Sequence, residues 1–421
     1  MTARNHTAQP GTGLPATRHR GTVYPDPFAR PVAPVDRPIP GPSSLLDNRG
    51  SCRLEPGGVV PSVQPLVEHM RRRVIGQTQA VDPLVRALQR SLAGLNDPSR
   101  PLLTALLLGP TGVGKTETAK ALASGLLGAE TALTRIDCEE YAHGFELSKL
   151  LGSPPGYIGF NVEPLLSQER IDAGHLRLQE QGAAPGTSPC TGGAIADRLA
   201  GSGRLSILLF DEVEKASPKL WNALLGVLDD GRLTLGDNRT TDFTRSVILM
   251  TTNVGSRSIG DLLEAPRLGF DLGRGIGRER DPDRVREAAL DAARKNFPAE
   301  FLNRFDEQLV YVPLGEQDLI GIFDRMLADL QDRVLRRSGV PFLLKVSPEA
   351  RDLLVHRGSD KRYGARPLRR VIESEIVSPL SEFIAAGVLA EGDVVEVLVD
   401  DAEEGRLGFV RGARETIAVV A

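Results

Sequence analysis

The octapeptide Gly109-Pro110-Thr111-Gly112-Val113-Gly114-Lys115-Thr116 sits between an apolar run, Leu102 to Leu108, and a helix-like segment, Thr116 to Leu127. Glycines let the backbone wrap a phosphate without Cβ clashes, so several N–H groups can converge on one anion. The helix that follows adds its positive N-terminal end. In that arrangement Lys115 reaches the β- and γ-phosphates, and the Thr116 hydroxyl holds Mg²⁺. The strand, loop and helix order predicts a site for a nucleoside triphosphate.

A second set of reactive groups lies downstream. Ile207-Leu208-Leu209-Phe210 is apolar and ends in Asp211 and Glu212. At the carboxyl edge of a parallel sheet these two carboxylates face the phosphate loop. Asp211 then binds Mg²⁺ through its water shell, and Glu212 polarises an attacking water as general base. Another apolar run, Val247–Thr252, leads into Asn253, whose amide can orient that water between the γ-phosphate and Glu212. Taken alone, Asn253 reads equally well as a turn residue.

These groups need a scaffold that brings strand ends together. Five short apolar runs read as buried strands: Leu103–Leu108, Leu133–Ile136, Ser206–Phe210, Val247–Met250 and Gln308–Val312. Helical segments separate them, including Thr116–Leu127, Pro218–Leu228 and Arg284–Lys295. Strands apolar on both faces, alternating with helices, predict an α/β fold with a five-stranded parallel sheet covered on both sides. From Gly315 onward the pattern is mainly helical (Asp318–Arg337, Pro348–Arg357, Pro367–Ala386), with strand-like runs at Phe342–Val346 and Val394–Val399. That predicts a small α+β domain at the C-terminal end. Residues 1–62 differ from the rest: eleven of the 30 prolines fall there, among Gly, Ser, Thr and Arg, without periodicity. Such a segment cannot offset its ordering entropy and reads as a disordered tail, or as a docking segment for a partner.

Bulk composition narrows the partners. The net charge is −4 over 421 residues, so no basic field favours nucleic acid or a membrane surface. No run reaches transmembrane length and no signal-peptide core follows Met1. The three cysteines, Cys52, Cys138 and Cys190, lack metal-ligand spacing and read as free thiols in a reducing cytoplasm.

A series of motifs then identifies a family. RVIGQ, GPTGVGKTETAKALA, PPGYIG, FDEVEKA, LLGVLDDGRLT, MTTNVGS, EFLNRFDE and YGARPLRR occur in this order between Arg73 and about Val399. The chain thereby resembles the Clp-type AAA+ protein unfoldases (ClpA-, ClpB- and ClpC-like), specifically their second, C-terminal ATPase module. The resemblance implies an AAA+ P-loop domain over 63–313, a small mainly helical lid domain over 314–400 and an extension over 401–421. It implies ATP as the nucleotide, with Val74 and Ile75 packed on the adenine. Arg304 matches the arginine finger, which acts on the γ-phosphate in a neighbouring subunit, so the family's homo-hexameric ring is expected. Arg366 matches the second sensor, which couples the lid's position to the nucleotide.

The same resemblance places a substrate-gripping axial pore loop at Gly156-Tyr157-Ile158-Gly159. An aromatic tip between glycines can hold almost any extended chain. Without the family context, it would read as a packed turn. Leu268-Gly269-Phe270, after Arg267, occupies the region where peptidase-coupled members dock a Clp-type protease ring; the plainer reading is a hydrophobic anchor in a long loop. Two departures stand out. No first ATPase ring or substrate domain fits in the first sixty residues. An insertion of about 161–191 follows the pore loop, reading as a helix from Glu163 to Gln181 and then a flexible Ala-Pro-Gly-Thr-Ser-Pro stretch. It is expected to be a solvated excursion, or else a gate or substrate reader beside the channel. The implied function is a cytoplasmic, single-ring, ATP-driven unfoldase or remodelling chaperone. The alternatives are a nucleotide-switched assembly factor that does not thread polypeptide and, disfavoured by charge, a nucleic-acid AAA+ ATPase.

Overall fold

The computed structural model describes residues 63–157, 160–180, 193–201, 203–256, 258–260, 282–360, 364–400 and 405–412. Ten strands occur among them. Five form a parallel sheet: β1 (Leu103–Leu108), β2 (Leu133–Asp137), β3 (Ser206–Asp211), β6 (Ser246–Thr252) and β7 (Glu307–Val310), in the spatial order β2-β3-β6-β1-β7. Every residue of β1, β3 and β6 is buried, as apolar runs between two helical layers require.

The two-residue alternation of each strand sorts its side chains into two cores. Ala105, Leu107, Ile207, Leu209, Val247 and Leu249 join one cluster with the helices Gln64–Arg73, Thr78–Leu92 and Lys115–Leu127. Leu106, Leu108, Leu208, Phe210, Ile248 and Met250 join the other, with Leu147–Leu151, Pro218–Asp230 and Pro282–Asn296. In the second cluster Trp221, Phe297, Phe301 and Phe305 stack edge to face or face to face, fixing the short helix Ala299–Leu302.

The C-terminal domain has its own core around Phe323, Phe342, Leu354, Leu368 and Ile376. Its sheet pairs β8 (Leu343–Val346) parallel to β9 (Val394–Val399), with β10 (Leu407–Gly412) antiparallel on the other edge. No described helix is long and apolar enough to cross a membrane. Cys138 is a free, buried thiol; Cys52 and Cys190 lie outside the described residues.

Several details differ from the sequence expectation. A hairpin of β4 (Arg232–Thr234) and β5 (Thr240–Asp242) was not legible, because three-residue polar strands carry no periodicity. The single helix expected over Pro367–Ala386 is three consecutive pieces: Arg366–Ile372, a π turn at Glu373–Val377, and Ser378–Ala385. The helix expected from Glu163 begins at Gln168 instead. Before it, Leu165 and Leu166 lie in a turn, and their N–H groups donate to Lys149 O and Leu150 O at the end of the helix Leu147–Leu151, both at 3.1 Å. Leu166 and Ile171 are buried in the second core, and Ser206 Oγ donates to Asp172 Oδ1 at 2.8 Å. This first part of the inserted segment is therefore anchored on the sheet, not a solvated excursion; residues 181–192 lie outside the described residues.

Candidate nucleotide site

Strand order brings the chemistry together. β3, β6 and β1 are adjacent and parallel, with Phe210 opposite Met250 and Leu108 opposite Thr252. Their carboxyl ends therefore deliver Asp211 and Glu212, Asn253, and the Gly109–Thr116 loop to one edge. A cleft of about 720 Å³ opens there, within the range for nucleotide-sized ligands. Val74, Ile75, Thr111 to Thr116, Asp211, Glu212, Asn253 and Arg366 all line it. Gly109 and Pro110 enter the same loop, through their carbonyls, as contacts of Lys115.

The loop has the left-handed backbone that only glycine adopts without strain: φ is 77° at Gly112 and 107° at Gly114, immediately before the helix starts at Lys115. No side chain caps that helix, so its first N–H groups are left to an anion. The C-terminal domain touches the loop directly: Ala365 N–H donates to Gly112 O at 3.1 Å. A Cβ on Gly364 would lie 2.7 Å from that same oxygen, so this approach requires glycine.

Lys115 is 7% exposed. Its Nζ donates to Gly109 O and Pro110 O at 2.6 Å and to Asn253 Oδ1 at 2.9 Å. Burial lowers its pKa from 10.5 to about 8, against the pull of Glu214 and Asp211. A bound triphosphate favours the ammonium, so binding takes up a proton once the free protein has lost it. ATP affinity measured in EDTA, with a fluorescent analogue, should be flat below about pH 8 and weaken above it, by up to about tenfold per pH unit. Affinity independent of pH from 7 to 10 would show that Lys115 does not pair with the phosphates.

Glu212 follows β3 with φ 57°, a left-handed conformation uncommon for a residue with a side chain. Its Oε1 accepts from Asn253 Nδ2 at 3.0 Å, and its Oε2 pairs with Lys215 Nζ at 2.6 Å. Burial alone would raise its pKa, but the Lys215 hydrogen bond and charge, with the Asn253 amide, hold it below the usual carboxylate range. Glu212 is thus an anion at neutral pH. Lys215 in turn sits well above the usual lysine range, held there by Glu139 and Glu212.

Asp211 is fixed from three sides. Arg135 Nη2 lies 2.7 Å from its Oδ2, Thr251 Oγ1 donates to its Oδ1, and Thr116 Oγ1 lies within 3.4 Å. Thr251 Oγ1 also accepts the Glu212 N–H at 3.0 Å. Thr116 and Asp211 thus offer adjacent hard oxygen donors beside an anion-binding helix end. That donor set suits Mg²⁺, which takes one or two protein oxygens and completes its shell with phosphate and water.

Val74 is buried and Ile75 half-buried at the cleft mouth. Gln77, fully buried, holds this segment by donating to Val312 O at 2.8 Å and accepting from Val312 N at 3.1 Å.

Arg304 stands apart from the cleft. Its carbonyl accepts from Thr104 Oγ1 at 3.2 Å, near the start of β1, whereas the phosphate loop leaves the other end of that strand. Five residues of strand separate the two, roughly 16 Å. Its guanidinium pairs with Asp229 at 2.6 Å. Gly156 and Tyr157 form an open turn, with φ 90° at Gly156 and Tyr157 71% exposed. Ile158 and Gly159 lie outside the described residues, as do Leu268, Gly269 and Phe270.

Sequence reading missed Arg135, Thr251, Glu214 and Lys215. Glu214 Oε1 accepts the Asn253 N–H at 2.9 Å and so sets that residue's backbone. Glu214 and Lys215 were visible within the FDEVEKA run. Arg135 becomes legible only once β2 is known to lie beside β3.

Comparison with known proteins agrees with this architecture. Residues 100–175 and 174–308 match the model of the AAA domain (Cdc48 subfamily), and residues 314–397 match the C-terminal, D2-small domain of ClpB protein. The chain is 37% identical over 351 residues to the chaperone protein ClpB of Meiothermus ruber, covering 83% of this chain and 35% of that protein. It is 39% identical over 336 residues to that of Pseudomonas putida, covering 80% and 34%. Against chaperone protein ClpB 1 of Synechococcus elongatus the identity is 38% over 336 residues, covering 80% and 33%. The chain spans about a third of the length of the curated relatives it matches.

Proposed function

Because this chain belongs to the Clp-type AAA ATPases, joining an AAA domain to the D2-small domain of ClpB, we propose that it is an ATP-hydrolysing, Mg²⁺-dependent ring motor that unfolds or remodels proteins. The observation that carries the reading is the hydrogen-bonded line from Lys115 through Asn253 to Glu212 across the mouth of the phosphate loop. A site that only bound nucleotide would not need an ionised carboxylate held by the same amide that contacts the phosphate-binding lysine.

In this reading Lys115 and the loop N–H groups hold the β- and γ-phosphates. Asn253 orients a water, and Glu212 takes its proton as the water attacks. Thr116 and Asp211 would hold Mg²⁺, which when bound neutralises charge on the β- and γ-oxygens. Val74 and Ile75 pack on the adenine. Arg366 reads the nucleotide from the C-terminal domain, whose Ala365 already bonds to the loop. Residues 63–313 act as the ATPase domain, 314–400 as its lid, whose sheet the strand Leu407–Gly412 extends, and 1–62 as a flanking segment. Tyr157 grips polypeptide, in keeping with the chaperone relatives. Docking of a Clp-type peptidase at Leu268, Gly269 and Phe270 is a further part of the reading. The site of action is the cytoplasm, with no nucleic acid or membrane involved.

Arg304 completes the site from a neighbouring subunit of a homo-hexamer, because it lies far from the chain's own cleft. An arginine acting in trans is worth on the order of 10³-fold or more in rate. Arg304→Ala subunits keep an intact cleft and Glu212→Gln subunits keep the arginine, so mixing the two inactive variants in one ring should restore up to about a quarter of wild-type turnover. No recovery on mixing would show that Arg304 does not act on a neighbour's site.

A further inference from the structure

Both oxygens of the Glu212 carboxylate are occupied: Oε1 by Asn253 Nδ2 at 3.0 Å and Oε2 by Lys215 Nζ at 2.6 Å. Glu–Lys pairs three residues apart are common on surfaces and contribute little. This one differs in what lies beyond it. Lys215 Nζ also donates to Glu139 Oε2 at 2.8 Å, 76 residues away in sequence. A lysine ammonium is a compact charge with three donors, so one group can bridge two carboxylates.

The backbone on both sides of the bridge is fixed. The turn Val213–Lys215 is closed by Lys215 N–H to Glu212 O at 3.0 Å, and Trp221 Nε1 donates to Val213 O at 3.0 Å. The turn Cys138–Tyr141, which carries Glu139, follows β2; Asp137 Oδ1 accepts the Glu139 N–H at 3.1 Å. Ser217 N–H then ties the two turns together by donating to Tyr141 O at 3.0 Å.

We infer that Lys215 is a positioning residue for hydrolysis, holding the Glu212 carboxylate against Asn253 while Glu139 anchors the lysine from the neighbouring turn. The inference rests on Glu212 acting as the general base. With the strained backbone at Glu212 setting its direction and two donors setting its rotation, the carboxylate has one orientation. Without Lys215 it can turn away from Asn253 and from the water that Asn253 orients. The line of contacts runs unbroken from Lys115 through Asn253, Glu212 and Lys215 to Glu139.

The test is steady-state ATP turnover and ATP affinity of the full chain carrying substitutions at these positions. Lys215→Met should lower kcat by about 10- to 100-fold, the range expected for a misplaced reacting group, with KM and ATP affinity unchanged. Lys215→Arg, whose guanidinium can also span two carboxylates, should restore most of the rate. Glu139→Gln should lower kcat less, and should add nothing in the Lys215→Met background. Retained ATP affinity shows that the variants fold. A kcat for Lys215→Met within about twofold of wild type would overturn the inference. So would failure of Lys215→Arg to recover turnover, or a Glu139→Gln effect that multiplies fully with that of Lys215→Met. Glu212→Gln, run in parallel, separates the two ideas. If it abolishes turnover while Lys215→Met does not alter it, only the positioning role fails; if Glu212→Gln itself turns over normally, the base assignment fails.

Discussion

Replacing Glu212 by Gln is expected to lower ATP turnover by about 10²- to 10⁴-fold, the usual contribution of a positioned general base. That corresponds to about 3 to 5 kcal/mol of lost transition-state stabilisation. The substitution is nearly isosteric, and its carbonyl oxygen can keep the bond from Asn253 Nδ2. It removes the charge that pairs with Lys215, but Lys215 retains Glu139 at 2.8 Å. The phosphate-binding elements are retained, because Lys115 keeps its bonds to Gly109 O, Pro110 O and Asn253 Oδ1. ATP affinity should therefore be preserved, and nucleotide-loaded assemblies should accumulate. Capturing what co-purifies with this variant in ATP would also identify polypeptides held by it. Turnover within tenfold of wild type would remove Glu212 from the chemistry. Glu214 would be the next carboxylate to consider, since it is half-buried and accepts the Asn253 N–H at 2.9 Å.

Much of this centre was legible before any fold was known, because its signals are local. The Gly109–Thr116 loop is contiguous, and its flanks, an apolar run and a helix, need no long-range information. The three central strands, β1, β3 and β6, appear as short apolar runs because burial on both faces leaves no polar alternation to obscure them, while the edge strands β2 and β7 show only through shorter apolar stretches. Their order was not legible. Nothing in the composition of β2 says that it lies beside β3, so the ion pair between Arg135 and Asp211 could not be foreseen. The Thr251 relay to Asp211 and to Glu212 N–H depends in the same way on β6 being the neighbour of β3. Lys215 and Glu139 meet only because two turns after adjacent strands are hydrogen-bonded to each other. β10 was missed because Gly408 and Gly412 dilute its pattern. The helix expected from Glu163 starts late because Leu165 and Leu166 find backbone partners in the preceding segment. Residues that act through sequence-distant contacts are thus the ones that a linear reading loses.

Tyr157 carries the second large expected effect. The ring is 71% exposed on an open turn, and Phe160 and Val162, close in sequence, are exposed as well, so truncating it removes little packing. Such a ring offers a large, rigid contact area that can engage many sequences through its face. Tyr157 N–H donates to Pro154 O and Phe160 N–H to Tyr157 O, both at 3.2 Å, and a Cβ on Gly156 would meet nothing within 4 Å. The nucleotide cleft does not include Tyr157. Truncating it to alanine should therefore leave ATP binding and hydrolysis intact while removing the grip on polypeptide. Aromatic anchors at protein interfaces are commonly worth about 2 kcal/mol or more, which predicts at least a tenfold loss of the mechanical activity.

In the proposed mechanism ATP hydrolysis drives movement of a polypeptide, and one measurement tests that coupling directly. It is the rate at which a folded fluorescent reporter bearing an unstructured tail loses its signal in ATP and Mg²⁺, compared for wild-type protein and Tyr157→Ala, with ATP turnover recorded in the same samples. The account predicts that wild-type protein unfolds the reporter and that the variant does so at least about tenfold more slowly while hydrolysing ATP at the wild-type rate. Unfolding by Tyr157→Ala at the wild-type rate, or steady ATP hydrolysis by wild-type protein with the reporter left folded, would contradict it.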